Sequence, residues 1–140
     1  MENPLPIGRI AASAAIIENK RILLLKRSPH AKLFAGHWTF PSGGIEESDE
    51  SVKAAVAREV KEETGLTFTP TQRFNFYESH AGGKRHFALV HLGTRTGDIS
   101  LDHSEVSEYQ WMSYKEAIKL PLAFAYSDVI GDLHRSGYIE

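Results

Sequence analysis

The stretch from Gly44 to Leu66 constrains this chain more than any other, because it reads as one helix that carries acids on its apolar side. A helix is predicted from about Glu50 to Glu63, with Ser48 or Asp49 as N-cap and acidic residues in the first turn. Gly65 is placed to end it in a left-handed conformation. At about 100° per residue, Val52, Ala55, Val56 and Val60 fall on one side, and Lys53, Ala57 and Lys61 on the other. Glu59 and Glu63 lie within the apolar sector and Glu62 at its margin, sharing an arc of roughly 100°. Three ionised carboxylates on a core-facing edge are unfavourable twice over, since each loses water and each raises the energy of its neighbours.

Periodicity leaves two readings open. In one, the helix is rotated so that the carboxylates clear the core and form a solvated face. In the other, positive charge compensates them: Arg58 for one carboxylate, or a hard divalent cation for several. Mg2+ takes one or two carboxylates together with waters and phosphate oxygens, and spacings of three and four residues bring these side chains to one locus.

The remaining sequence narrows the setting. At 140 residues the chain is expected to form a single domain, 1–140. Sixteen Lys and Arg against 18 Asp and Glu give a formal charge of -2, so no whole-protein basic field exists to attract a nucleic acid polymer or an anionic membrane. Without cysteine, disulfide frameworks, thiolate zinc sites and a cysteine nucleophile are excluded. The apolar run Ile10 to Ile17 lacks a basic leader and no segment is long enough to span a bilayer, so the cytoplasm is the expected compartment.

Ile7 to Ile17 and Arg21 to Lys26 read as two strands joined at Glu18-Asn19-Lys20, an opening hairpin. Ser28 to Gly44, with its Pro, Gly and aromatic residues, reads as ordered loops around a short strand. Strands are expected at Phe68 to Ser79 and Arg85 to Gly93 around Ala81 to Lys84, and at Tyr109 to Met112. Helices are expected near Tyr114 to Lys119 and Tyr126 to Ser136. The order implies an α/β (α+β) fold with a mixed sheet covered by helices.

The pattern Gly44-x5-Glu50-x7-Arg58-Glu59-Val60-x-Glu62-Glu63-x-Gly65-Leu66 matches the Nudix box at every specified position. Its approach, Leu23-Leu24-Leu25-x-Arg27 and then Gly36-His37-Trp38-x-Phe40-Pro41-x-Gly43-Gly44, is also similar to that family. The resemblance implies a MutT-like α/β/α sandwich and Mg2+-dependent hydrolysis of a pyrophosphate bond in a nucleoside diphosphate derivative, with Mn2+ as a substitute metal. By the same resemblance Glu59, Glu62 and Glu63 are expected as metal ligands, with the Gly43 or Gly44 carbonyl as a further one. Arg58 is expected to orient or pair with a glutamate, and Glu50 to fix the helix entry. The general base is a box glutamate or an acid from a later loop, for which Glu105 is the candidate; an exposed loop acid is the plainer reading of any single glutamate.

For substrate, Arg27 is expected to contact a phosphate through its planar fork, with Lys32, Lys84 and Arg85 as weaker candidates. Trp38 and Phe40 are placed to stack on a base, as are Phe76 and Tyr77, although aromatics beside strands more often belong to the core. His86 and His91, five apart on one strand, point to opposite faces and so do not form a metal site. The partner expected is a small nucleotide, with a homodimer compatible. Nucleoside triphosphates are the broad default among substrates, beside dinucleoside polyphosphates and nucleotide sugars. The alternative is a Nudix-fold module that binds a nucleotide without turning it over.

Overall fold

Two strands with apolar residues on both faces organise the layers. In the computed structural model, which describes residues 4–140, β1 (Ile7–Ala15) and β3 (Arg21–Arg27) each lie inside a sheet. The first sheet is mixed, in the order β5 (Ser42–Gly44), β1, β7 (Lys84–Thr96), β6 (Thr67–Ala81). Here β1 runs parallel to β7, whereas β1 with β5 and β6 with β7 are antiparallel. In the second sheet β3 pairs antiparallel with β2 (Ile17–Glu18), β4 (Trp38–Thr39) and β8 (Val106–Met112).

Helices cover both sides, as α1 (Val52–Thr64) and α3 (Tyr126–Arg135), with the short α2 (Tyr114–Ala117) before the latter. Alternate residues leave a strand on opposite faces. Ala12 and Ala14 of β1 and Leu23 and Leu25 of β3 therefore enter one core with Ala55, Val56 and Val60 of α1. Ala15, Ile22 and Leu24 enter the other with Tyr126, Val129, Ile130 and Leu133 of α3. The expected α/β/α arrangement is the observed one. Among the described residues no helix is long and apolar enough to cross a membrane.

Three local expectations need correction. The opening hairpin reduces to β2 and β3, turning at Asn19 and Lys20 with φ of 50° and 59°; β1 leaves it to pair with β5 and β7. The helix N-cap is Ser51, whose hydroxyl accepts from the Ala54 N–H at 3.0 Å, and not Ser48 or Asp49. Its first turn carries no acid, because the acids before it lie in the preceding loop.

Candidate active site

The loop between β5 and α1 is tied to the helix by Arg58. Its Nε and Nη2 donate to the two oxygens of Asp49 at 2.8 and 2.9 Å, a bidentate pair. Nη1 donates to Glu59 at 2.8 Å and to Glu62 at 3.3 Å, and Nη2 reaches the Gly44 carbonyl at 3.1 Å. The Asp49 carboxylate also accepts from the Glu46 N–H at 2.8 Å. Hydrogen bonds from Arg58, and then from Glu46, hold the Asp49 carboxyl down at about 2. Asp49, not the exposed Glu50, therefore fixes the helix entry, which corrects the role given to Glu50.

β5 comes close to the helix on the same side. The Ser42 N–H donates to Glu63 Oε1 at 2.7 Å. A Cβ on Gly43 would stand 1.9 Å from Glu59 Oε2, so the backbone leaves that carboxylate a place only because residue 43 has no side chain. Burial pushes the Glu63 carboxyl up to about 8, against the Ser42 hydrogen bond and with the help of the Glu59 charge. Burial also raises Glu59, with Arg58 opposing it. Glu62 differs: its side chain is 57% exposed, at the mouth of the site.

These groups share a cleft of about 310 Å³ lined by Ser42, Gly43, Gly44, Glu59, Glu62 and Glu63, with Arg9, Arg27, Asp102 and Glu105 completing its wall. The helix phase thus brings the box carboxylates to one cleft, and the β8 approach adds Glu105. Among the described residues no three His, Cys, Asp or Glu side chains already stand as a ligand set, because Arg58 holds Glu59 and Glu62 while Ser42 holds one oxygen of Glu63. The donor chemistry still suits a hard cation. It is all oxygen, a cluster of carboxylates costs energy until positive charge enters it, and Mg2+ needs only one or two of them beside water and phosphate. The space left by the missing Gly43 side chain, which the Glu59 carboxylate occupies, is the local feature that admits such a cluster.

Other expected substrate residues lie elsewhere. Phe40 is 0% exposed and stacked on Tyr126 at 4.6 Å, and Trp38 is 6% exposed in the same core. Both are corrected to core residues, since neither offers a ring face to the cleft. Backbone bonds from Trp38 N–H to Pro121 O and from Ala123 N–H to Trp38 O, each 2.8 Å, hold that core segment under the α2–α3 loop. Phe76 is 66% exposed on β6, and Tyr77 donates to Asp132 of α3 at 2.7 Å; neither lines the cleft. Arg85 donates to the Leu5 carbonyl at 2.8 Å. His86 packs against Phe124, while burial and the charges of Arg73 and Lys53 lower His91. The two imidazoles are buried apart, and among the described residues neither Nδ1 has a hydrogen-bond partner.

Arg9 and Phe124 escape the sequence reading, as does the pairing of Asp49 with Arg58, since Asp49 reads in sequence only as a helix cap. Arg9 is a lone cation in a strand whose cleft neighbours on β5 come through antiparallel pairing, and Asp49 resembles a helix cap in composition. Only their contacts distinguish them.

The chain matches the family model for the NUDIX domain over residues 8–133. It is 34% identical over 115 residues to the CTP pyrophosphohydrolase of Escherichia coli, covering 81% of this chain and 83% of that protein. It is 30% identical over 122 residues to Nudix hydrolase 2 of Arabidopsis thaliana, covering 84% of this chain but 44% of the plant protein. The crystal structure of a MutT protein from Methanosarcina mazei superimposes with a TM-score of 0.83 at 32% identity, covering 96% of this chain and 98% of that one. The chain belongs to the Nudix hydrolase family.

Proposed function

We propose that this chain, acting as one domain over residues 1–140, hydrolyses a pyrophosphate bond in a nucleoside diphosphate derivative, with nucleoside triphosphates as the substrate class. The observation that carries the reading is the convergence of Glu59, Glu62 and Glu63 with the Gly43–Gly44 backbone on one cleft that also contains Arg9 and Arg27. The similarity to an enzyme described as a CTP pyrophosphohydrolase supports the triphosphate class.

Glu59, Glu62 and Glu63 would hold Mg2+, or Mn2+ in its place, with a carbonyl of Gly43 or Gly44. Such a cation supplies charge neutralisation on phosphate oxygens and a water of lowered pKa. Arg58 orients Glu59 and Glu62, and Asp49 orients Arg58. Glu105 takes the proton of the attacking water on its carboxylate. Among the described residues its carboxylate has no hydrogen-bonded partner, whereas Arg58 engages Glu59 and Glu62, and the Ser42 N–H engages Glu63. Arg27 binds a substrate phosphate. The chain would then act on the nucleotide pool of the cytoplasm.

The test is a Mg2+ titration combined with a panel of nucleoside triphosphates, dinucleoside polyphosphates, ADP-ribose and coenzyme A, scored for product release. Turnover of a triphosphate is expected. Glu62→Gln is expected to lower kcat at least about a hundredfold while leaving the melting temperature nearly unchanged, because it removes ligand charge and keeps shape. Tight binding without turnover of any panel member would make the chain a nucleotide-binding module instead.

A further inference from the structure

The edge of the first sheet that lies away from the carboxylate cleft is open. In the order β5-β1-β7-β6 the cleft sits at β5, β1 and α1, whereas β6, with 15 residues, ends the other side with no strand beyond it among the described residues. Such an edge presents unpaired N–H and C=O groups to any strand that approaches, and natural sheets blunt it with proline, bulges or lysine. In β6 these devices are confined to the first half: Pro70, and register shifts between Pro70 and Gln72 and between Arg73 and Asn75. From Asn75 to Ala81 the strand pairs with β7 without interruption and carries neither proline nor lysine. Here the Phe76 N–H is met by the side chain of its own neighbour, Asn75 Oδ1 at 2.9 Å, a local bond that a second strand can replace.

The side chains along this edge are complementary to their own copy. Arg73, Phe76 and Glu78 stand opposite His91, Leu89 and Phe87 of β7, alternate residues of one strand, so all three project from one face of the sheet. The register shift takes up Phe74, which leaves Arg73 and Glu78 each two strand positions from Phe76, on opposite sides of it. A two-fold axis perpendicular to the sheet at Phe76 therefore sets Phe76 against its own copy and Arg73 against Glu78 of the second copy, twice over. Aromatic and opposite-charge pairs in these cross-strand positions are favourable, whereas an axis at Glu78 would set two carboxylates face to face. Phe76 is 66% exposed, more than any other large apolar side chain described, and the partly buried Leu89 beside it lengthens the apolar row. Arg73 has no ion-pair partner among the described residues, and Glu78 has the exposed His80 at 2.7 Å.

We propose that β6 is a homodimerisation edge, at which two copies of this chain pair their β6 strands antiparallel about Phe76 and join their first sheets into one. The interface is isologous, with the same patch on both copies, so it closes at two. Both carboxylate clefts stay open, because each lies at the far end of the joined sheet. The association is independent of the reaction proposed above.

Sedimentation velocity of the full chain over a dilution series is expected to show monomer and dimer in equilibrium. Arg73→Glu and Glu78→Arg should each raise the dimer dissociation constant about tenfold or more, since two attractive pairs become repulsive. The double variant Arg73→Glu with Glu78→Arg exchanges the charges across the axis and should restore parent association to within about threefold. Phe76→Asp should sediment as a monomer at every concentration. Amide hydrogen exchange supplies a readout that needs no substitution: exchange at Phe76 should slow as the parent protein is concentrated, which holds the test open should a charge reversal fold poorly. Turnover per chain in Arg73→Glu should match the parent, because Arg73 is not in the lining of the cleft.

A parent chain that is monomeric throughout, a dimer indifferent to both charge reversals, a double variant no better than the single ones, or Phe76 exchange that ignores concentration would overturn the edge. Nucleotide turnover alongside any of these results would leave the hydrolase reading intact. Charge-dependent dimerisation without turnover of any nucleotide would sink the hydrolase reading and keep the dimer.

Discussion

At the scale of single residues, Gly43 and Gly44 look alike in the motif, yet their surroundings separate them. Neither has a positive φ, so backbone strain distinguishes nothing. A Cβ at 43 would meet both carboxylate oxygens of Glu59, at 1.9 and 2.4 Å, and one at 44 would meet nothing within 4 Å. The Glu59 side chain can swing away, so Gly43→Ala is expected to leave stability within ~0.5 kcal/mol. The displaced ligand should weaken divalent-ion binding by about tenfold or more, read by calorimetric titration of Mg2+ or Mn2+. Gly44→Ala should leave both quantities near their parent values, and equal losses at the two positions would contradict the cradle. Spacing alone nominates both glycines, because a motif records identity and not the distance to a side chain sixteen residues on. Trp38 and Phe40 show the same limit. Their position beside the box suggests a binding loop, but the α2–α3 segment bonded to Trp38 and the ring of Tyr126 stacked on Phe40 put them in the core.

At the scale of the element, α1 is largely legible. The apolar phase correctly selects Ala55, Val56 and Val60 as buried, and the C-terminal glycine stops the helix as expected, with φ of 75° at Gly65. Its N-terminus was not legible, because Ser48, Asp49 and Ser51 are all good cap formers and only the capture of Asp49 by Arg58 removes one of them. Ser51→Ala should therefore cost ~1 kcal/mol, the usual worth of an N-cap hydrogen bond. Gly65→Ala should cost about 1 kcal/mol or more, since a Cβ there meets both a left-handed backbone and Ser100 at 3.3 Å. Urea unfolding of each variant measures these values, and an unaffected midpoint for Ser51→Ala would reassign the cap.

At the scale of the whole molecule, acids at the two ends of this helix make opposite contributions to the pH dependence of folding. In the cation-free chain Glu63 keeps its proton up to about 8, whereas unfolding returns it to the ordinary glutamate value of 4.5. Between those values the folded state binds more protons than the unfolded state, so stability falls as pH rises. Asp49, held at about 2 against an ordinary aspartate value of 3.8, contributes in the opposite sense. Its contribution is present above the ordinary carboxylate range and is lost as pH falls through about 2. Calorimetric melting after chelator treatment is thus expected to decline from about pH 5 to pH 8, and Glu63→Gln should flatten that decline. A divalent cation should bind more tightly as pH rises through the same window, with release of a proton, because the carboxylate form is the ligand. An unchanged slope in Glu63→Gln would assign the dependence to another group.

The sequence by itself determined the local pattern: the helix, the carboxylates gathered on one sector of it, the turn at Gly82 and Gly83, and the motif that placed the chain in its family. Those features depend on periodicity and spacing, which a linear chain displays. Tertiary structure alone decided which surface each strand met. It paired β1 in parallel with β7 instead of folding it back on β3, joined Ser13 to Tyr126 at 2.7 Å across a separation of 113 residues, and brought Arg9, Arg27 and Phe124 together. Periodicity tells which face of an element is apolar, but the partner that covers it is chosen by long-range packing, where no local signal reaches.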